Sequence, residues 1–164
     1  MKKIILGMTA VLSLMACSDG GRQNPFLTEW DTPYGIPLFA DIQVEDYIPP
    51  IEAGIEQQNN EIDEIVSNPE SPTFENTVLP LELSGEILSK VSGVLFNVSE
   101  TDRTDELDSV MEKALPMLTE HGDNISFNKG LYERFAKLYH ADQSHLNREQ
   151  QMVLKKRFEA FERN

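Results

Sequence analysis

Residues 71–81 read SPTFENTVLPL, a proline turn followed by an Asn-Thr pair and then by apolar residues. Downstream, Leu81, Leu88, Val91, Leu95 and Val98 recur at helical spacing. The pattern predicts a helix that begins near Asn76 or Thr77, either of which would serve as N-cap, with Pro80 in the first turn. Gly85 and Gly93 fall inside this helix, and each costs about 1 kcal/mol relative to Ala. We therefore expect a second helix backbone to approach closely at both glycines.

Toward the N-terminus, isoleucines at positions 48, 51, 55, 62 and 65 lie on one face of a predicted helix. Pro49 and Pro50 are tolerated near its start, and Pro69 and Pro72 stop it. Residues 25–40, PFLTEWDTPYGIPLFA, hold three prolines and four aromatic residues. Prolines at this density exclude a helix, so we expect an extended segment that packs onto the body through its rings.

Toward the C-terminus, three more helices are predicted. The first carries Leu107, Val110 and Ala114, with a kink at Pro116 and an interruption near Gly122. The second begins near Asn128. The third begins at Asn147, where NREQ resembles a capping box with Gln150 at its third position. The sequence contains no segment with strand periodicity. It therefore predicts an all-α, irregular helical array whose amphipathic helices need partners to bury their apolar faces.

The N-terminus has the features of an export signal. Lys2 and Lys3 precede a 12-residue apolar segment, which is too short to span a bilayer as a helix. The following LMAC, residues 14–17, resembles the lipobox of bacterial lipoproteins, which implies cleavage before Cys17 and its lipidation. The alternative is an ordinary secretory leader with an incidental cysteine. We expect a signal peptide at 1–16, a flexible tether at 17–24 and a helical segment at 25–164. Ser18 after the cysteine favours the outer membrane over the inner, with the face that it exposes left open.

Charge and motif spacing exclude several kinds of function. A net charge of −14 repels nucleic acid, so no nucleic-acid partner is expected. The histidines His121, His140 and His145 lack the spacing of a zinc motif, and we interpret them as solvent-facing loop residues. Cys17 is the single cysteine, so thiolate chemistry in the body is excluded. We predict no catalytic residue and no metal ligand in this chain, and lipidation at Cys17 as its one modification site.

Several motifs carry a resemblance to a known family. They are NPFL at 24–27, F-x-x-I at 39–42, P-x-x-E-x-G-I at 49–55, N-P-x-x-P-T-F-E-N-T at 68–77 and L-x-x-S-G-x-x-L-x-x-V at 81–91. Together with 115–139 and 146–163, they resemble the N-terminal part of the zinc metallopeptidase family of peptidyl-dipeptidase Dcp, oligopeptidase A and thimet oligopeptidase. The resemblance covers roughly residues 24–164.

The resemblance implies an almost entirely helical fold in which these helices form one wall and lid of a deep channel for short oligopeptides. In that family zinc is bound by a His-Glu-x-x-His helix far downstream, in a part that this chain lacks. We therefore expect a C-terminally truncated peptidase segment that is inactive alone, with zinc bound only by the missing catalytic part. The alternative is a non-catalytic helical lipoprotein of the cell envelope that binds peptides or acts as an interaction module.

Overall fold

The computed structural model describes residues 22–163. Six α-helices account for most of these residues: α1 Ile48–Ser67, α2 Leu79–Leu83, α3 Glu86–Thr101, α4 Asp105–Ser126, α5 Lys129–Tyr139 and α6 Arg148–Glu162. A single π-helical turn, Phe74–Val78, leads directly into α2. Residues 22–163 contain no strand, which confirms the predicted all-α irregular array. None of the helices in this range is long and apolar enough to cross a membrane.

Helix α1 is the centre of the array and contacts α2, α3, α4 and α5. Pro49 and Pro50 occupy its first turn, and the isoleucine face points inward as predicted. The apolar residues form two separate clusters along α1. The first core contains Phe26, Tyr47, Ile51, Leu88, Val91, Val94, Leu95, Leu107, Val110 and Ala114. The second core contains Ile62, Ile65, Val78, Leu81, Leu131, Phe135, Leu138, Leu146, Leu154 and Phe158.

The predicted second helix is wrong in its start and in its continuity. The N-cap is Thr73 and not Asn76 or Thr77, because the Thr73 side chain accepts from the Asn76 amide while the Asn76 side chain accepts from the Thr73 amide. The helix then breaks after Leu83. Gly85 lies at the break with φ 74°, a left-handed conformation that glycine adopts without steric cost.

Two further predictions concerning glycines are wrong. A side chain at Gly93 would meet nothing within 4 Å, so no helix approaches there. Gly122 does not interrupt α4, which runs through both Pro116 and Gly122 to Ser126. The predicted starts of α5 and α6 are confirmed, because Asn128 and Asn147 accept hydrogen bonds at their N-caps and Gln150 completes the capping box.

The N-terminal segment packs through only part of its aromatic content. Phe26 is buried in the first core and Trp30 lies half-buried against it, whereas Tyr34 and Phe39 are exposed. The segment forms short 3₁₀ turns at Pro25–Leu27, Pro33–Gly35, Phe39–Asp41 and Val44–Asp46 in place of a continuous extended chain. The end of the predicted tether also contacts the body, because the Asn24 amide donates to the Asp46 carbonyl.

Candidate functional site

The motif at 68–77 forms a loop that is held from inside by a buried arginine. Arg134 of α5 is 8% exposed, and its guanidinium donates to the Asn68 carbonyl at 2.8 Å, to Asn76 Oδ1 at 3.1 Å and to Thr77 Oγ1 at 3.2 Å. A longer bond of 3.4 Å reaches the Glu70 carbonyl. The loop therefore closes around one side chain, which fixes its path between α1 and α2.

Arg134 is unusual because all its hydrogen-bond partners are neutral oxygens. Burial lowers the pKa of Arg134, yet a guanidinium remains charged at any physiological pH. An unpaired buried cation is costly, and the loop compensates by offering its carbonyl, amide and hydroxyl oxygens. Sequence reasoning did not identify this residue. The available signal was its position, because Leu131, Arg134, Phe135 and Leu138 share the apolar face of α5.

The break between α2 and α3 is fastened to α1 by a second polar group. The Gly85 amide donates to Glu61 Oε2 at 2.9 Å, and the Gln58 amide donates to Ser84 Oγ at 2.9 Å. Any side chain at position 85 would overlap Gln58, since its Cβ would lie 2.6 Å from that amide group. The Ser-Gly pair of the third motif is thus required by close contact and backbone conformation.

His121 of α4 extends this group into the interior. It is 6% exposed, so its interpretation as a solvent-facing loop residue is wrong, and the reason is that α4 continues where an interruption was expected. Its Nε2 lies 2.8 Å from Gln58 Oε1, while Nδ1 has no hydrogen-bond partner within the described residues. Burial lowers the pKa of His121. His140 and His145 are exposed, as predicted.

A cleft of about 400 Å³ opens between α1 and α2. The loop held by Arg134 bounds it on one side, and the break held by Glu61 and Gln58 bounds it on the other. Its lining residues are Glu61, Glu64, Ile65, Asn68, Asn76, Pro80, Leu83 and Ser84. Glu64 makes no hydrogen bond or ion pair within residues 22–163, whereas Glu61 is occupied by Gly85 and by the Gln57 amide. Leu83 is 71% exposed at the rim. The cleft offers one free carboxylate, that of Glu64, beside apolar surface.

The described residues do not form a metal centre. No three His, Asp or Glu side chains between 22 and 163 are grouped so that they could hold a metal ion. The three histidines are far apart along the fold: His121 lies in α4, His140 follows the end of α5 and His145 lies in the loop before α6. The predicted lipidation site, Cys17, lies outside the described residues.

Comparisons with known proteins identify peptidases as relatives of the chain. No family model matches the chain. It is 38% identical over 111 residues to the dipeptidyl carboxypeptidase of Escherichia coli (strain K12), an alignment that covers 68% of this chain and 16% of that protein. The dipeptidyl carboxypeptidase of Salmonella typhimurium is 36% identical over 111 residues. Oligopeptidase A of Escherichia coli is 24% identical over 119 residues, which are 73% of this chain and 17% of that protein. The chain thus spans about a sixth of the length of these relatives.

Proposed function

Because the chain is related to dipeptidyl carboxypeptidase and oligopeptidase A over about two thirds of its length, we propose that residues 22–163 form a helical wall of the substrate channel in a peptidase of that type. The names of these relatives describe the release of dipeptides from a carboxyl end and action on oligopeptides. The substrates of the proposed enzyme are accordingly short peptides. The wall shapes access to the reaction and performs none of its chemistry.

The observation that carries this proposal is the role of the motif residues that resemble the family. Thr73 and Asn76 cap the π-helical turn, Gly85 permits the break after α2, and Gly54 allows α3 to approach α1. A Cβ at Gly54 would lie 2.9 Å from Leu88 Cγ and 3.0 Å from the Leu88 amide nitrogen. All of them specify helix junctions, and none is placed as a nucleophile or a general base.

The cleft between α1 and α2 supports a channel-lining role. Its apolar rim at Leu83 and its free Glu64 would contact the side chains of an extended peptide. Contacts along the length of a bound peptide would hold it extended, so the wall favours extended substrates. This mode of selection acts on binding, and we expect changes in the cleft to alter KM more than kcat.

Zinc does not fit the residues described. A catalytic zinc requires three converging protein ligands, and residues 22–163 bring no such group together. The zinc ion of a peptidase of this type would therefore be bound by protein outside this range. When bound, it would supply a Lewis acid and an activated water. The part of the wall described here contributes only the shape and charge of the approach.

We also propose that Cys17 anchors the protein to the bacterial cell envelope through lipid, with the outer membrane favoured. The support is the LMAC sequence after a short apolar segment. Two or more acyl chains give stable membrane attachment where one alone is marginal. Cys17→Ser should move the protein from the membrane pellet to the soluble fraction, with Ser18→Ala as the matched control. An unchanged membrane fraction for Cys17→Ser would remove the anchor.

One observation favours the alternative of a free-standing binding module. The first and second cores both close among residues 22–163, with their central side chains fully buried. Such a chain has the internal packing of a folded domain. It would bind peptides in the same cleft without a peptidase attached, and peptide binding alone does not distinguish the two functions.

A chimeric enzyme distinguishes the channel-wall function from the free-standing binding module. The segment of Escherichia coli dipeptidyl carboxypeptidase that aligns with this chain is replaced by the matching residues of this chain, and release of carboxyl-terminal dipeptides is measured. We expect an active chimera and an inactive deletion of the same segment. Leu83→Ser in the chimera should raise KM several-fold, whereas Phe96→Ser, on an exposed part of α3, should leave it unchanged. A deletion as active as the parent enzyme would refute the wall function.

A further inference from the structure

The N-terminal segment exposes a short run of large apolar side chains. Residues 32–40, TPYGIPLFA, contain no charged residue. Within it Tyr34 is 98% exposed, and Ile36, Leu38 and Phe39 are each at least half exposed. We name residues 34–39 the apolar loop. Single exposed apolar residues are ordinary, but four within six positions form a patch of the kind that marks an interaction surface.

The backbone holds this loop outward. Tyr34 has φ 65°, a left-handed conformation that is unfavourable for an aromatic residue, and Gly35 follows with φ 61°. The turn is closed by a hydrogen bond of 3.0 Å from the Gly35 amide to the Thr32 carbonyl, and by one of 2.6 Å from Thr32 Oγ1 to the Ile36 carbonyl. The conformation gains no burial for Tyr34, so packing within the described residues does not explain it.

The short stretch of chain between Cys17 and Arg22 bears on what covers the loop. Arg22 is fixed beside the loop, because its guanidinium donates to the Asp41 carbonyl at 2.6 Å and to Asp46 Oδ2 at 2.5 Å. Arg22, Thr32 and Leu38 line the same cleft. Four residues lie between Cys17 and Arg22, so their Cα atoms are five steps apart along the chain and at most about 18 Å apart. A lipid on Cys17 would therefore keep Arg22, which lines the same cleft as Leu38 of the apolar loop, within about that distance of a bilayer.

We propose that the apolar loop contacts the surface of the bilayer to which Cys17 is attached, an inference that rests on the lipid anchor proposed above. Tyrosine suits the boundary between headgroups and acyl chains, where its ring and hydroxyl meet both environments, and Phe39 and Leu38 add apolar surface of the kind that interfacial segments bury. Asp31 and Asp41 flank the uncharged run. Their charge favours zwitterionic lipid over anionic lipid. The loop thus fixes the orientation of the helical wall on the membrane.

The test uses the chain from residue 17 onward, coupled through its single cysteine to a maleimide lipid in phosphatidylcholine vesicles. Trp30, the only tryptophan, is replaced by phenylalanine. Tyr34→Trp then reports from the apolar loop. The control is Phe127→Trp, at a position that is 64% exposed and lines a cleft with Phe161, which packs against the second core. Because interfacial side chains lie about 5–10 Å into the headgroup and acyl boundary, brominated lipid should quench Tyr34→Trp by roughly twofold or more. Phe127→Trp should keep its intensity.

Leu38→Trp serves as a second reporter and should be quenched like Tyr34→Trp. Absence of quenching at both loop positions, or equal quenching at Phe127→Trp, would overturn the proposal. Shielding of the loop reporters by an added peptidase catalytic part, without quenching by lipid, would also overturn it and assign the surface to protein. Chemical coupling bypasses acylation in the cell, so failure here is distinct from failure of the Cys17→Ser fractionation.

Discussion

The two cores of the molecule are fastened to their covering segments in opposite ways. At the second core, a buried cation, Arg134, holds the loop 68–77 through neutral oxygens. At the first core, a buried carboxylate, Asp46, holds the N-terminal segment through the Gln43 amide and through Arg22, whose side chain is 40% exposed. Water therefore reaches Arg22 at the first core, whereas it hardly reaches Arg134 at the second core.

This difference predicts how strongly each segment constrains its residues. A loop wrapped around a buried guanidinium must supply oxygens at fixed positions, so Asn68, Asn76 and Thr77 are specified individually. A segment held by a partly exposed ion pair tolerates variation, because solvent substitutes for a lost partner. The motifs at 49–55, 68–77 and 81–91 lie at helix junctions around α1, whereas the motifs at 24–27 and 39–42 lie in the N-terminal segment, and the second of these begins at Phe39 of the apolar loop.

The largest effect is expected from Arg134→Met. It removes the donors to the Asn68 carbonyl and to Asn76 Oδ1, and leaves Thr77 Oγ1 with only the bond that it donates to Asn76 Oδ1, at a cost of about 3 kcal/mol in the free energy of unfolding. Urea denaturation measures this. The matched control is Arg103→Met, which removes an exposed ion pair with Asp108 and should cost less than about 0.5 kcal/mol. Equal effects of the two substitutions would show that the loop is not held by Arg134.

A pair of glycine substitutions tests the packing of α1 against α3. Gly54→Ala places a methyl group against Leu88 and should destabilise the protein by about 1–3 kcal/mol. Gly93→Ala, on the same helix pair but facing open space, should stabilise it by up to about 1 kcal/mol. Thermal unfolding of both variants gives the signs, and a stabilising Gly54→Ala would contradict the close approach.

The first core offers the counterpart to Arg134. Asp46→Ala removes the acceptor of the Gln43 amide and of Arg22, and should cost about 1–2 kcal/mol. Arg22→Ala should cost less than about 1 kcal/mol, because that side chain is partly solvated. Denaturant titration followed by the fluorescence of Trp30 reports on this segment. A cost for Asp46→Ala above that for Arg134→Met would reverse the comparison.

The smallest effect concerns pH. The Gln58 amide donates to Ser84, so its oxygen accepts from His121 Nε2–H and a further proton would go to the buried, unpartnered Nδ1. Burial lowers the pKa of His121 in the folded state, whereas the unfolded chain binds a proton near pH 6.5. Stability contributed by the neutral ring is thus complete above about pH 6.5 and declines as pH falls below it.

Urea midpoints between about pH 5.5 and 7.5 measure this slope. His121→Gln should flatten it, and His145→Gln, at an exposed site, should leave it unchanged. If His121→Gln keeps the same slope of urea midpoint against pH as the unmodified protein, the pH dependence belongs to other groups.

Sequence patterns predicted the helices well where apolar spacing is sustained, as in α1, α5 and α6. They failed at the break after α2, because Leu81 and Leu88 remain seven residues apart and keep the helical period across Gly85. They failed at Gly122 for the opposite reason. A glycine costs only about 1 kcal/mol inside a helix, and packing of α4 on both cores outweighs that cost.

The candidate site was less accessible to sequence reasoning than the fold. Arg134 reads as one more charge on an amphipathic helix until the loop 68–77 is seen to close over it. His121 reads as a loop residue once an interruption is assumed nearby. The cleft depends on the angle between α1 and α2, which is set by Gln58, Glu61 and the Gly85 conformation together, and no single local pattern encodes it.

The most direct test of the account is complementation. Escherichia coli dipeptidyl carboxypeptidase lacking its aligned segment is mixed with this chain, from residue 17 onward, and dipeptide release from a short peptide is followed. We expect no release by either protein alone and release by the mixture that saturates with added chain. Dipeptide release by this chain alone, or full activity of the shortened enzyme without it, would contradict the claim that these helices are a non-catalytic wall.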